Sequence, residues 1–274
     1  MSPSSHLSKQ IIYFILIDRF SNGDEKYTLT IQTKKISDEE LSKSMGGTLK
    51  GITSNLEYIK NLGCTAIWIS PFFKNNPESY HGYAIENFKK VDERFGTIDD
   101  LIELSTQCKK LELSLYLDVV INHSGDNWAY QNNTQPIFDS QKTYPFGYWK
   151  SNDIEPEILK NIESYERKGI IKNWNNYPET QEGDFFNLKK LNLDLKDHGL
   201  NVLNELCDTY SEWIKVLKPD GFRLDTAKHL KPEIVKYFAQ EMYSAAQING
   251  INHFQIFIEA PISDVELENY LTVD

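Results

Sequence analysis

The stretch GITSNLEYIKNLGCTAIWIS, residues 51–70, contains a change of period that sets the fold class. Ile52, Leu56, Ile59 and Leu62 recur at three- and four-residue spacing, which makes one apolar stripe along a helix. Gly63 then stops that helix, because glycine takes the left-handed conformation past a last turn without a Cβ clash. The apolar run at residues 64–70 follows at once and has the length of a buried strand. A helix that hands over directly to a strand is one step of an alternating α/β chain.

The same step recurs on both sides. Runs of strand length lie at residues 11–17, 113–121, 221–224 and 254–258, with helical patterns between them. Thr97 is a predicted N-cap, and Asp99 and Asp100 sit in the first turn, where the helix macrodipole favours carboxylates. Leu101, Leu104 and Leu111 continue that helix's apolar face, and later helices are expected over residues 200–217 and 233–248. Five strands separated by helices mean a parallel α/β structure. The alternation lapses from residue 124 to 190, which is rich in Asn, Pro and aromatic residues and reads as an inserted subdomain after the third strand. The expected division is 1–123 for the first three strands, 124–190 for the insertion and 191–274 for the fourth and fifth strands.

Composition narrows the function. With 29 basic against 40 acidic side chains, a net charge of -11 opposes phosphate backbones and anionic lipid, so neither nucleic acid nor a membrane is an expected partner. The run at residues 11–17 is too short to span a bilayer and no basic-then-apolar leader precedes it. Cys64, Cys108 and Cys207 have no CxxC spacing and read as buried thiols. A cytoplasmic, reducing setting is the expectation.

Asp18, Asp118, Asp225 and Glu259 each follow a predicted strand on its C-terminal side, where a charge cannot help a core. Four such endings predict one polar cleft; acids that begin loops or cap helices are the duller alternative. Arg223 and Asp225 are two apart on a strand and so point the same way, and a guanidinium beside a carboxylate favours its ionised form, which suits a nucleophile. Glu259 follows Phe254, Ile256, Phe257 and Ile258, an apolar setting expected to favour the protonated form of a general acid. Such a pair on neighbouring strands fits glycosidic bond cleavage with retention, with the carboxyl groups roughly 5–5.5 Å apart.

DVVINH at 118–123, GFRLDTAKH at 221–229 and FIEA at 257–260 resemble, in order, the third-, fourth- and fifth-strand motifs of the alpha-amylase superfamily, glycoside hydrolase family 13. YHGYAIENF at 80–88, DERFGT at 92–97 and IYFILIDRFSNGD at 12–24 resemble its second- and first-strand loops, so the likeness runs along nearly the whole chain. The resemblance implies a TIM (β/α)8-type barrel acting on alpha-1,4-glucans or maltooligosaccharides, by hydrolysis or transfer, with no organic cofactor. Asp225 would attack the anomeric carbon and Glu259 would protonate the departing oxygen. Arg223 would hold Asp225, and Tyr83 would stack on the sugar. His81 and His123 would bond its hydroxyls, Lys228 and His229 would reach the leaving side, and Asp118 would organise the polar ring.

The pattern also departs from the family. Its barrel has eight strands and a third carboxylate, an Asp after a His on the seventh, whereas the fifth strand is the last one read here. The expectation is therefore an incomplete barrel of about five strands with little activity of its own, either a fragment or a half that needs a complementing C-terminal half. Where family members carry an acidic calcium ligand in an LPDLN-like stretch, this chain has LKKLN at 188–192, so Lys190 replaces the ion and Asn122 is not a metal ligand. A calcium ion at Asp18, Asn22 and Asp24 after the first strand is the remaining metal expectation. Two rival functions stand beside hydrolysis: a noncatalytic glycan-binding protein derived from an amylase, and an isomerase or branching enzyme of the same superfamily.

Overall fold

A computed structural model describes residues 8–24, 37 and 41–270. Its first part comprises strand β1 (Ile12–Ile15), helices α1 (Leu49–Ser54) and α2 (Leu56–Asn61), strands β2 (Ala66–Ile69), β3 (Phe73–Asn75) and β4 (Ile85–Val91), helix α3 (Ile98–Lys110) and strand β5 (Ser114–Val119). Four short strands follow, β6 (His123–Ser124), β7 (Trp128–Tyr130), β8 (Phe146–Trp149) and β9 (Lys189–Lys190). The chain then runs through α4 (Asp197–Leu217), β10 (Gly221–Leu224), α5 (Pro232–Ile248) and β11 (Gln255–Ile258).

Five strands form one parallel sheet in the order β1-β2-β5-β10-β11. The sheet is open, with β1 and β11 as its edges, and is not a closed barrel. Alternation along the strands divides its residues between two faces. Ile15, Ile67, Ile69, Leu115, Leu117, Phe222 and Leu224 point one way into the hydrophobic core and are almost fully buried. The opposite face carries Phe14 packed at a tilt on Trp68 (4.2 Å), with Phe257 edge-on to Trp68 (5.8 Å) and to Tyr116 (5.5 Å). Tyr116 reaches across β10 and donates to Gln255 Oε1 at 2.8 Å. Gly221 makes room for that crossing, since a Cβ there would lie 2.0 Å from the Gln255 carbonyl oxygen and 2.9 Å from the Tyr116 ring.

Several expectations are corrected in detail. The stripe at residues 52–62 is not one helix but two six-residue helices that meet at Asn55, whose side chain donates to the Gly51 carbonyl at 2.8 Å. Ile52, Leu56 and Ile59 are buried as expected, but Leu62 lies beyond the second helix and is 54% exposed. Gly63 does take a positive φ of 88° and turns the chain into β2. The first strand ends at Ile15, and Ile17–Phe20 form a helical turn that carries Asp18. Thr97 caps α3 through a reciprocal capping box with Asp100.

Residues 123–190 contribute no strand to the five-stranded sheet. This excursion begins and ends on one antiparallel pair, His123 opposite Lys190 in β6 and β9. Within it β7 and β8 pair, and Trp128, Tyr130 and Tyr165 are buried, with Trp128 edge-on to both tyrosines. Cys64, Cys108 and Cys207 are free and buried. No described helix is long and apolar enough to cross a membrane.

Candidate active site

The register of the sheet assembles a charged cluster where its strands end. Arg223 on β10 lies directly opposite Asp118 on β5 and Phe257 on β11. Asp225 and Glu259 extend the β5–β10 and β10–β11 ladders by one step, through Asp225 N–H to the Val119 carbonyl and Glu259 N–H to the Leu224 carbonyl, both 2.9 Å. One guanidinium consequently meets three carboxylates. Arg223 Nη1 donates to Asp118 Oδ1 (2.9 Å) and Oδ2 (3.1 Å) and to Asp225 Oδ1 (2.6 Å), while Nη2 lies 2.8 Å from Glu259 Oε2. Thr226, in the left-handed region at φ 49°, turns the chain after Asp225 and gives its N–H to the same Glu259 oxygen at 3.0 Å. Asp118 also accepts from the Tyr83 hydroxyl (2.8 Å) and from Trp68 Nε1 (3.0 Å).

Three acids around one base leave the cluster short of positive charge, and burial raises the cost. Burial and then repulsion from Asp118 push the Asp225 carboxyl up to about 8, against the pull of Arg223. Asp118 is likewise pushed by burial, to about 6. Burial disfavours the charged form of Arg223, but Asp118 and Asp225 outweigh it and hold the guanidinium protonated. This is the opposite of the tuning expected for Asp225. The Asp225 carboxyl is biased toward its protonated form, and Glu259 does not sit in an apolar pocket: its side chain is 46% exposed and faces Arg223. The isoleucines beside it in sequence alternate away from it on the strand.

The other candidates fall into three groups. Tyr83 joins the cluster through Asp118, and burial raises its hydroxyl well above the ordinary tyrosine value. His81 supports it: Tyr83 N–H donates to His81 Nδ1 (3.0 Å), His81 Nε2 is 3.0 Å from Ser79 Oγ, and the two rings stack. His123 is almost fully buried beside Tyr83 and stacks on Phe185. Lys228 points instead to Asn175 Oδ1 at 3.2 Å, and the His229 ring is held by the Thr180 carbonyl (2.7 Å) and by Phe185 and Trp174. Asp18 is separate from the cluster. Its carboxylate accepts from Ser44 Oγ, Met45 N–H and Gly46 N–H and pairs with Arg19 Nε at 3.2 Å.

The metal expectation meets a donor set that does not fit. Asp18 already takes N–H and O–H donors, and Asn22 Oδ1 accepts from Asp24 N–H at 2.8 Å, so Asp18, Asn22 and Asp24 do not offer a set of uncommitted oxygens. At the other position, Lys190 Nζ donates to Asn122 Oδ1 and, at 3.0 Å, to the His229 carbonyl. An ammonium thus takes up the oxygens a cation would use.

Sequence reasoning missed Trp68 as a partner of Asp118. Its signal was available, since Trp68 stands opposite Tyr116, two residues before Asp118 and on the same face.

Comparison with known proteins adds an independent line. The family model described as "Alpha amylase, catalytic domain" matches residues 14–260. The cyclomaltodextrin glucanotransferase of Klebsiella oxytoca is 30% identical over 260 residues, covering 92% of this chain and 38% of that enzyme. The beta/alpha-amylase of Paenibacillus polymyxa is 34% identical over 248 residues, 87% of this chain and 18% of the relative. The crystal structure of the alpha-amylase from Geobacillus thermoleovorans, complexed with acarbose, superimposes with a TM-score of 0.70 at 30% identity, covering 94% of this chain and 48% of the other. The chain therefore spans less than half the length of these relatives.

Proposed function

Because the chain belongs to the alpha-amylase catalytic-domain family, we propose that it cleaves alpha-1,4-glucans or maltooligosaccharides with retention, passing the glucosyl group to water or to another sugar. The observation that carries this reading is the single guanidinium of Arg223 shared by Asp118, Asp225 and Glu259 at 2.6–3.1 Å. It holds two carboxylates from neighbouring strands at one gap, as a nucleophile and a proton donor require.

In this mechanism Asp225, in its ionised form against Arg223, attacks the anomeric carbon as the glycosidic bond breaks, and Glu259, in its protonated form, gives its proton to the departing oxygen. Glu259 then takes a proton from the incoming hydroxyl, which opens the glucosyl ester on Asp225. Arg223 and the Thr226 N–H fix the approach of both carboxylates. Asp118, Tyr83 and Trp68 brace Arg223 from behind. Residues 124–190 act as an inserted subdomain that walls one side of the cleft through Phe185 and Trp174, with Phe185 packed on His123. A reducing cytoplasmic setting belongs to the same reading and agrees with three free, buried thiols.

A noncatalytic glycan-binding role is the second reading, and the open sheet with edges at β1 and β11 favours it. Incubation of the purified chain with maltooligosaccharides separates the two. Shortened or elongated products that disappear in Asp225→Asn and Glu259→Gln support the enzyme. Sugar binding without turnover in the unmodified chain supports the second reading.

A further inference from the structure

We propose that Lys190 is a positioning residue: through Asn122 it fixes which ring nitrogen of His123 carries the proton, leaving Nε2–H as a donor reserved for an incoming hydroxyl.

The chain of contacts runs through three buried side chains, Lys190 and the adjacent Asn122 and His123. Lys190, on β9, is buried, and its ammonium carries donors alone. It must therefore face acceptors, and it does, at the Asn122 side-chain oxygen and the His229 carbonyl. That contact sets the Asn122 amide: with Oδ1 turned to Lys190, the amide nitrogen is the end that faces His123 Nδ1, at 3.2 Å. The amide nitrogen too can only donate, so Nδ1 of a neutral imidazole must offer its lone pair and Nε2 must hold the hydrogen.

Two further observations support the assignment. The Asn122 backbone carbonyl accepts from Leu191 N–H at 3.0 Å, which pins Asn122 against the end of β9. His123 Nε2 is buried and makes no well-formed hydrogen bond, although the Tyr83 backbone lies near its ring and the Tyr83 hydroxyl is on Asp118. A buried donor without a partner is expensive, and a site that keeps one at the edge of a carboxylate cluster keeps it for a group that arrives. On the reading given under Proposed function, that group is a sugar hydroxyl oxygen. The ring stays neutral because burial and the Lys190 charge push its imidazolium down to about 3. Lys190 thus does more than join β9 to the loop after β10; through Asn122 it transmits a choice of tautomer to the ring of His123, its partner across the β6–β9 pair.

The test is a long-range proton–nitrogen correlation spectrum of the full chain labelled at its six histidines, with His123 assigned by substitution. The unmodified protein should show His123 as the Nε2–H tautomer. Asn122→Asp keeps an acceptor for Lys190 but cannot donate to Nδ1, so the proton should move to Nδ1 while the melting temperature holds or rises. In Lys190→Met the amide is released to turn, and the Nε2–H form should lose its dominance. An Nδ1–H tautomer in the unmodified protein, or an unchanged Nε2–H tautomer in Asn122→Asp, overturns the proposal. The KM for maltooligosaccharide should rise roughly tenfold in Asn122→Asp, the size of one hydrogen bond. If the tautomer moves and sugar affinity does not, the relay stands and it is the glucan reading that fails.

Discussion

Asp18 and Asp225 both follow a strand, both are buried and both lie against an arginine, yet they answer to opposite balances of charge and hydrogen bonding. Asp18 is met by Ser44, Met45, Gly46 and Arg19, so its donors outnumber its needs and its carboxylate holds a loop in place. Asp225 shares one guanidinium with Asp118 and Glu259, so acids outnumber bases and the group is left reactive. Where donors are in excess a carboxylate is structural, and where carboxylates are in excess the site stores an unfavourable interaction that chemistry can use.

Substitution should break the likeness between the two. Asp225→Asn is expected to lower kcat by on the order of 10⁴-fold, since it removes the attacking group. Asp18→Asn should leave kcat within a few-fold. A comparable collapse of kcat in both variants would mean that the two acids belong to one functional unit.

Stability should diverge in the opposite sense. The folded-state value of Asp225 lies near 8, above the ordinary 3.8, so the folded chain holds its proton longer than the unfolded chain does. This contribution is fully present below pH 4 and is lost as pH rises toward 8. Asp225→Asn should therefore melt higher than the unmodified protein at pH 8, by on the order of 2 kcal/mol, with the gain vanishing near pH 4. A gain that does not depend on pH would contradict the shared-charge account. The same raised value should displace the acidic limb of kcat/KM above the ordinary carboxylate range.

Smaller effects sharpen the contrast. Asp18→Asn should cost about 1–3 kcal/mol in denaturant unfolding, because an amide nitrogen then faces the Met45 and Gly46 N–H groups. Thr97→Ala, at a helix start remote from either acid, should cost about 1 kcal/mol through loss of the capping box and leave activity unchanged.

Much of the scaffold was legible in the sequence because it depends on neighbours. Gly63, the Thr97 cap and the order of helices and strands are local features, and the two-residue spacing of Arg223 and Asp225 was enough to put them on one side of a strand. The break at Asn55 was not legible, since the apolar spacing of Ile52, Leu56 and Ile59 continues across it. The tuning of Asp225 was read wrongly for a physical reason. Ile256 and Ile258, near Glu259 in sequence, lie on the other face of β11, whereas Asp225 is raised first by burial and then by Asp118, which comes from a strand more than a hundred residues away. Lys190 and Asn122 meet across a separation of 68 residues, so their contact exists only in the folded chain.

The most direct test of the central claim is to trap the intermediate. Glu259→Gln incubated with an activated fluoride of a 5-fluorinated maltosyl sugar, then digested and weighed, should yield one sugar-bearing peptide with the adduct on Asp225. An adduct on another residue, or none while the sugar still binds, would show that Asp225 and Glu259 do not work as a nucleophile and proton donor at one gap.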